Sequence, residues 1–192
     1  SAVRVIPILN DKDKVVDLAV FDKRMHLPIA ETYFDDTEVK YVNECLSSGW
    51  VSSSGKFITQ FEKMFADFLG TKHAVSCSNG TSALHTLLKI YKINSNHEVI
   101  LPSISFVAVA NAILYCNSTP NFVDSEMSTL GIDPYKLKNY LKNNTKTINK
   151  KCINKKTGKI IKVLIAVHVF GIPCKILELK NVRPKKFLQI FS

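Results

Sequence analysis

Ser78-Asn79-Gly80-Thr81-Ser82-Ala83-Leu84 is the stretch whose reading decides the fold. An apolar run, His73-Ala74-Val75-Ser76-Cys77, leads into it, and helix-forming residues 84–90 lead out. The pattern is strand, tight turn, helix. A helix that opens just after such a turn leaves its first N–H groups without intrahelical partners, at the positive end of its dipole. Thr81 and Ser82 add two hydroxyls at the same end. Such an end suits an anion, phosphate above all. A plain cap by Ser78 or Asn79 explains the same residues, and small polar caps are the commoner use. The heptapeptide alone leaves both readings standing.

Downstream the alternation continues. Strand patterns fall at 73–77, 98–102, 121–124 and 160–167, and helix patterns at 83–91, 106–115, 134–141 and 174–182. Pro134 stands at the favoured first turn of its helix. The alternation predicts an α/β fold: three αβα layers around a mostly parallel sheet. In such sheets ligands bind beyond the carboxyl ends of the strands. The turns at 79–82, 102–106 and 168–171 would share that rim. Upstream, Asp35 and Asp36 open a helix with Val39, Val42 and Leu46 at helical spacing, closed by Ser47-Ser48-Gly49. Phe57, Phe61, Met64, Phe65 and Phe68 form a second stripe, read as core, ending at Gly70. Residues 1–26 read as a lead-in with a short helix around Val15, Val16, Leu18 and Ala19. Pro28 makes 27–30 extended.

The chain has 192 residues, 46% of them apolar, enough for one domain or part of a larger one. No apolar run is long enough to span a bilayer, and 1–10 lacks a secretory pattern. Cys45, Cys77, Cys116, Cys152 and Cys174 are odd in number and widely spaced. They suggest neither disulfides nor zinc, and fit a reducing cytoplasm. The five histidines lack metal-ligand spacing. The net charge of +10 is concentrated: residues 134–177 hold no Asp or Glu, while Lys142, Lys146, Lys150, Lys151, Lys155, Lys156, Lys159 and Lys162 crowd one segment. Without base-reading groups this is a solvated loop or hairpin centred on Thr157-Gly158, not a nucleic-acid site. It could still attract an acidic or nucleotide-bearing ligand. No membrane partner is expected.

Five blocks in order resemble the DegT/StrS family of pyridoxal-phosphate (PLP)-dependent nucleotide-sugar aminotransferases. They are 78–84, Glu98-Val99-Ile100-Leu101-Pro102, 106–112, Pro120-Asn121-Phe122-Val123-Asp124 and Val167-His168-Val169-Phe170-Gly171. The resemblance runs over 27–182 and implies part of the large domain of a fold-type I PLP-dependent transferase, with 183–192 a divergent tail. Cys152-Ile153-Asn154-Lys155-Lys156-Thr157-Gly158-Lys159 resembles the branch that aminates C4 of UDP-linked 4-keto-6-deoxy sugars for legionaminic-acid-type surface glycans. By resemblance Gly80, Thr81 and Ser82 hold the cofactor phosphate and Phe106 stacks on its ring. The family uses glutamate as amino donor and works as a homodimer. Its ring-pairing Asp and Schiff-base lysine lie beyond the 167–171 block. No acidic residue follows Glu178 here, and Lys175 stands where relatives often carry Asp. No catalytic residue is therefore assigned, and the chain alone is expected to be inactive. A non-catalytic module that binds a nucleotide sugar or another acidic ligand is the alternative. Glutamate and a nucleotide sugar are the partners implied; nucleic acid and membrane are not.

Overall fold

The computed structural model describes residues 4–21, 32–52, 54–182 and 188–191. The chain divides into two units, Ser1–Thr59 and Gln60–Ser192.

In the first unit, Arg4–Leu9 (β1) and Val15–Phe21 (β2) pair as an antiparallel hairpin. The Asn10 carboxamide accepts from the N–H groups of Lys12 (2.9 Å) and Lys14 (3.1 Å), closing the turn. The short helix expected around 15–19 is therefore a strand. Its apolar spacing is compatible with either period, and pairing with β1 decides. Asp36–Ser48 (α1) opens on a capping box: Thr37 N–H donates to the Asp35 carboxylate (2.7 Å) and Asp35 N–H to the Glu38 carboxylate (2.8 Å). It closes at Gly49, φ +74°, as expected. The extended segment at 27–30 lies outside the described residues.

Lys56–Leu69 (α2) begins in the first unit and continues through the second. Tyr41 packs on Phe57, ring centroids 5.0 Å apart. The rest of the aromatic stripe is not core: Phe61, Met64, Phe65 and Phe68 are exposed, Phe68 by 84%. Helical spacing makes an apolar face but does not supply the surface that covers it.

The second unit carries the sheet. Gly80–Ile90 (α3) leads into His97–Pro102 (β3), then Val107–Leu114 (α4), Thr119–Val123 (β4) and Pro134–Asn144 (α5). Thr145–Ile148 (β5), Lys151–Asn154 (β6), Ile160–Ile165 (β7), Ile176–Val182 (α6) and Gln189–Phe191 (β8) follow. The strand order is β4-β3-β7-β6-β5, with β8 also on β7. β4, β3, β7 and β8 are mutually parallel, while β6 runs antiparallel to β7 and to β5. Val99, Leu101, Val163 and Ile165 face α3 and α4 through Leu88, Ala112 and Ile113. Ile100, Ile161 and Leu164 face α5 and α6 through Leu137, Leu141 and Leu179. Three αβα layers result, as the alternation predicts.

Three expectations are corrected. Residues 73–77 belong to no strand; Ser76 instead donates its N–H (2.8 Å) and hydroxyl (2.9 Å) to Glu62 of α2. The lysine-rich segment is two turns rather than one. Asn149 and Lys150, both at positive φ, close β5 on β6 in the primed geometry that hairpins favour, and Thr157-Gly158 lies in the turn from β6 to β7. The segment 183–192 contributes a strand, because Leu188-Gln189-Ile190-Phe191 finds the open edge of β7 and buries Leu188.

Candidate functional site at the carboxyl ends of β3 and β7

The crossover from β3 to β4 runs through α4 on one face of the sheet. The return from β4 to β7 runs through α5 on the other. The chain thus reverses direction between β3 and β7, a switch point at which such sheets form a ligand crevice beyond the carboxyl ends of the strands. Residues 103–106 leave β3 at this rim and residues 166–171 leave β7. Because α3 runs antiparallel to the strand it feeds, its N-terminus points to the same end.

Gly80, Thr81 and Ser82 form the first turn of α3. Asn79 is the cap: its carboxamide oxygen accepts from Ser82 N–H (2.8 Å), and Ala83 N–H bonds the Asn79 carbonyl (3.1 Å). The cap reading is therefore realised at Asn79. Capping occupies one early donor, and the N–H groups of Gly80 and Thr81 have no hydrogen-bond partner among the described residues. The Ser78 hydroxyl donates to the Ser82 hydroxyl (3.3 Å), holding it at the helix mouth. A Cβ built at Gly80 would meet nothing within 4 Å, so the side-chain position of this residue is open. Phe106, the N-cap residue of α4, is 78% exposed. An aromatic held open on a structured rim is available to a flat ligand. The residues present fit the phosphate end and one ring face of PLP.

On the β7 side, Cys174 N–H donates to His168 Nδ1 (3.0 Å). That fixes the Nε2–H tautomer of the neutral ring. Phe170, at φ +53° and 79% exposed, follows it. Sequence reading gave the 168–171 loop as part of the rim but not the His168 tautomer, which depends on a turn six residues on. The carboxylates beyond β4 are already engaged. Asp124 pairs with Lys136 (2.8 Å). Glu126 accepts from the Ser128 hydroxyl (2.5 Å), Ser128 N–H (2.9 Å), Thr129 N–H (2.7 Å) and the Thr129 hydroxyl, and lies 3.3 Å from Lys175. The Ser128 and Thr129 hydroxyls hold its pKa well below the usual carboxylate range. Lys175 thus meets Glu126, an acidic partner that sequence reading did not supply.

At the other end of the strands, the buried Glu98 accepts from Asn121 (2.7 Å), Asn154 (2.9 Å) and Thr157 (2.5 Å). Asn121 and Asn154 also reach the Tyr140 hydroxyl, whose pKa burial pushes up. This cluster joins β3, β4, α5, β6 and the following turn, and so holds the strands that carry the rim. Gly131 adds a close approach: a Cβ there would stand 2.6 Å from Cys174 Cβ, so only glycine lets the loop before α5 pack against the turn before α6.

Residues 32–192 match the DegT/DnrJ/EryC1/StrS aminotransferase family. GDP-perosamine synthase of Caulobacter vibrioides is 43% identical over 122 residues, 64% of this chain and 33% of that protein. GDP-perosamine synthase of Vibrio cholerae is 39% identical over 156 residues, 81% of this chain and 38% of that one. Spr1654 of Streptococcus pneumoniae in its PLP form superposes with a TM-score of 0.68 at 25% identity, covering 88% of this chain and 39% of the other. The chain therefore spans about a third to two fifths of the length of these relatives.

Proposed function

The chain belongs to the DegT/DnrJ/EryC1/StrS aminotransferase family, and from that premise we propose that it is the cofactor-phosphate-binding part of a PLP-dependent sugar aminotransferase. The reaction moves an amino group from glutamate to C4 of a nucleotide-linked 4-keto-6-deoxy sugar, for surface-glycan synthesis in the cytoplasm, with a second copy of the protein completing the site as a homodimer. The observation that carries the reading is the α3 mouth, where the Gly80 and Thr81 N–H groups have no partner among the described residues and the Ser82 hydroxyl is held beside them, with the exposed Phe106 beyond β3.

In this reading Gly80 and Thr81 donate their N–H groups to the cofactor phosphate, and the Thr81 and Ser82 hydroxyls complete its shell. Asn79 keeps the first helical turn in place. Phe106 covers one face of the ring and keeps water from it. PLP, when bound, supplies the electron sink that transamination needs. No residue among these 192 is assigned as the carboxylate for its ring nitrogen or as the lysine that bonds it. The name of the two synthases supports an amino-sugar product and makes GDP, beside UDP, a nucleotide to test.

Titration of the chain with pyridoxine 5′-phosphate, which lacks the aldehyde that reacts with surface lysines, tests the reading. Binding is expected to need the phosphate, so unphosphorylated pyridoxine does not compete. Ser82→Ala and Thr81→Ala each weaken binding by about tenfold, the loss of one charge-assisted hydrogen bond. Equal binding of pyridoxine, or variants that bind as tightly as the parent, overturns it. In a glutamate-dependent assay with GDP- and UDP-linked 4-keto-6-deoxy sugars, the 192-residue chain alone is expected to give no turnover.

A further inference from the structure

β7 contains an irregularity with chemistry attached. In its register with β3, Glu98 pairs with Ile161 and the next residue, Val99, pairs with Val163, so Lys162 is an extra residue in the strand. Bulges between parallel strands are rare, and they re-aim a side chain. Here Ile161 stays in the core beside α5 and α6, and Val163 in the core beside α3 and α4. Lys162 reaches the end of α3, where its ammonium donates to the Tyr91 carbonyl (2.6 Å).

Lys162 also lines a cavity of about 500 Å³ whose wall includes Tyr91, His97, Lys150, Lys151 and Gln189. The size is that of a small-molecule site. Two independent features bring the cations together. The bulge aims Lys162, and the Asn149-Lys150 turn, at φ +47° and +61°, carries Lys150 and Lys151 to the place where β6 leaves β7 and β8 joins it. No carboxylate lines the cavity among the described residues. Three lysines therefore line it with no acidic residue among its described walls, a concentration of positive charge that a bound anion would offset. Burial, then the charges of Lys162 and Lys151, lower the His97 pKa. His97 opens β3, whereas the crevice described above lies past the strand's other end.

We propose that this cavity binds a small molecule carrying a di- or polyphosphate group, held by Lys150, Lys151 and Lys162, with the Tyr91 side of the wall flanking the remainder of the ligand. The site is independent of the aminotransferase reading and survives its failure.

The test uses the 192-residue chain, with pyrophosphate, GDP and guanosine as probes and the His97 ring signal, assigned through His97→Gln, as the reporter. Pyrophosphate and GDP are expected to saturate, guanosine to leave the signal unmoved, and the His97 pKa to rise by about one unit on saturation, as an adjacent anion dictates. The double variant Lys150→Glu/Lys151→Glu weakens pyrophosphate binding at least about tenfold, since each like charge at the site opposes the ligand. Lys138→Glu/Lys142→Glu, the same charge change on the exposed side of α5, leaves it within about twofold. Equal weakening by both doubles, an unmoved His97, or guanosine binding as well as GDP overturns the proposal. So does duplex DNA that displaces pyrophosphate and loses affinity equally in both doubles. The His97 titration of the parent chain stands even where the variant fails to fold.

Discussion

Glu126 collects the hydroxyls and N–H groups of Ser128 and Thr129 and the nearby ammonium of Lys175. All of these favour the ionised carboxylate, so its folded pKa lies below its unfolded one. The stability this contributes is whole above the ordinary glutamate pKa, about 4.3, and is lost as pH falls toward the folded value. Glu62, lowered by its two bonds from Ser76, follows the same sign. Urea midpoints measured from about pH 6 to pH 3 are expected to fall most steeply below about pH 5, and Glu126→Gln to flatten that fall. A variant with the parent's pH dependence would contradict the assignment. At this scale the sequence was readable where the signal is local, as for Asp35 at the start of α1 and Asn79 as one of two candidate caps of α3. It was silent on Lys175 with Glu126, because nothing local specifies a contact across 49 residues.

Elements were legible where they carry their own boundary signals. Gly49 and Gly70 end their helices at positive φ, and Asp133 caps the helix that Pro134 opens by accepting from Tyr135 N–H (2.8 Å) and Lys136 N–H (3.1 Å). Strands were less so, because a strand is defined by its neighbour. Residues 73–77 alternate like a strand but satisfy Ser76 through Glu62, and 15–21 is a strand because β1 lies beside it. The central strands depend on one group invisible in any hydropathy pattern. Glu98 is a charged residue in an otherwise apolar run, and three donors from other elements converge on it. Glu98→Ala removes the acceptor that Asn121, Asn154 and Thr157 share and leaves the two asparagines only the Tyr140 hydroxyl, with an expected loss of about 3 kcal/mol. Urea unfolding followed by circular dichroism measures it, and a loss under about 1 kcal/mol would show that solvent replaces the carboxylate.

For the molecule as a whole, apolar surface and sheet edges govern behaviour. Phe61, Met64, Phe65 and Phe68 on α2 and Phe106 and Phe170 on the rim are exposed, and β4, β5 and β8 each have one side without a strand partner among the described residues. Surfaces of this kind associate unless covered. The chain by itself is expected to self-associate, with light-scattering mass rising with concentration. A soluble monomer with a sharp, reversible unfolding transition would refute that. No helix among the described residues is long and apolar enough to cross a membrane.

The sequence by itself determined the strand–helix alternation from β3 onward, the glycine and proline signals at the helix ends, and the family. Each of these is written in local spacing, or in short blocks whose residues act together. The tertiary structure alone decided which strands are neighbours, that the chain reverses between β3 and β7, and that 188–191 joins the sheet. It also decided that Lys162, Lys150, Lys151 and His97 share one cavity. Those facts depend on register and on pairing between distant segments, and a single bulged residue changes which side chains meet.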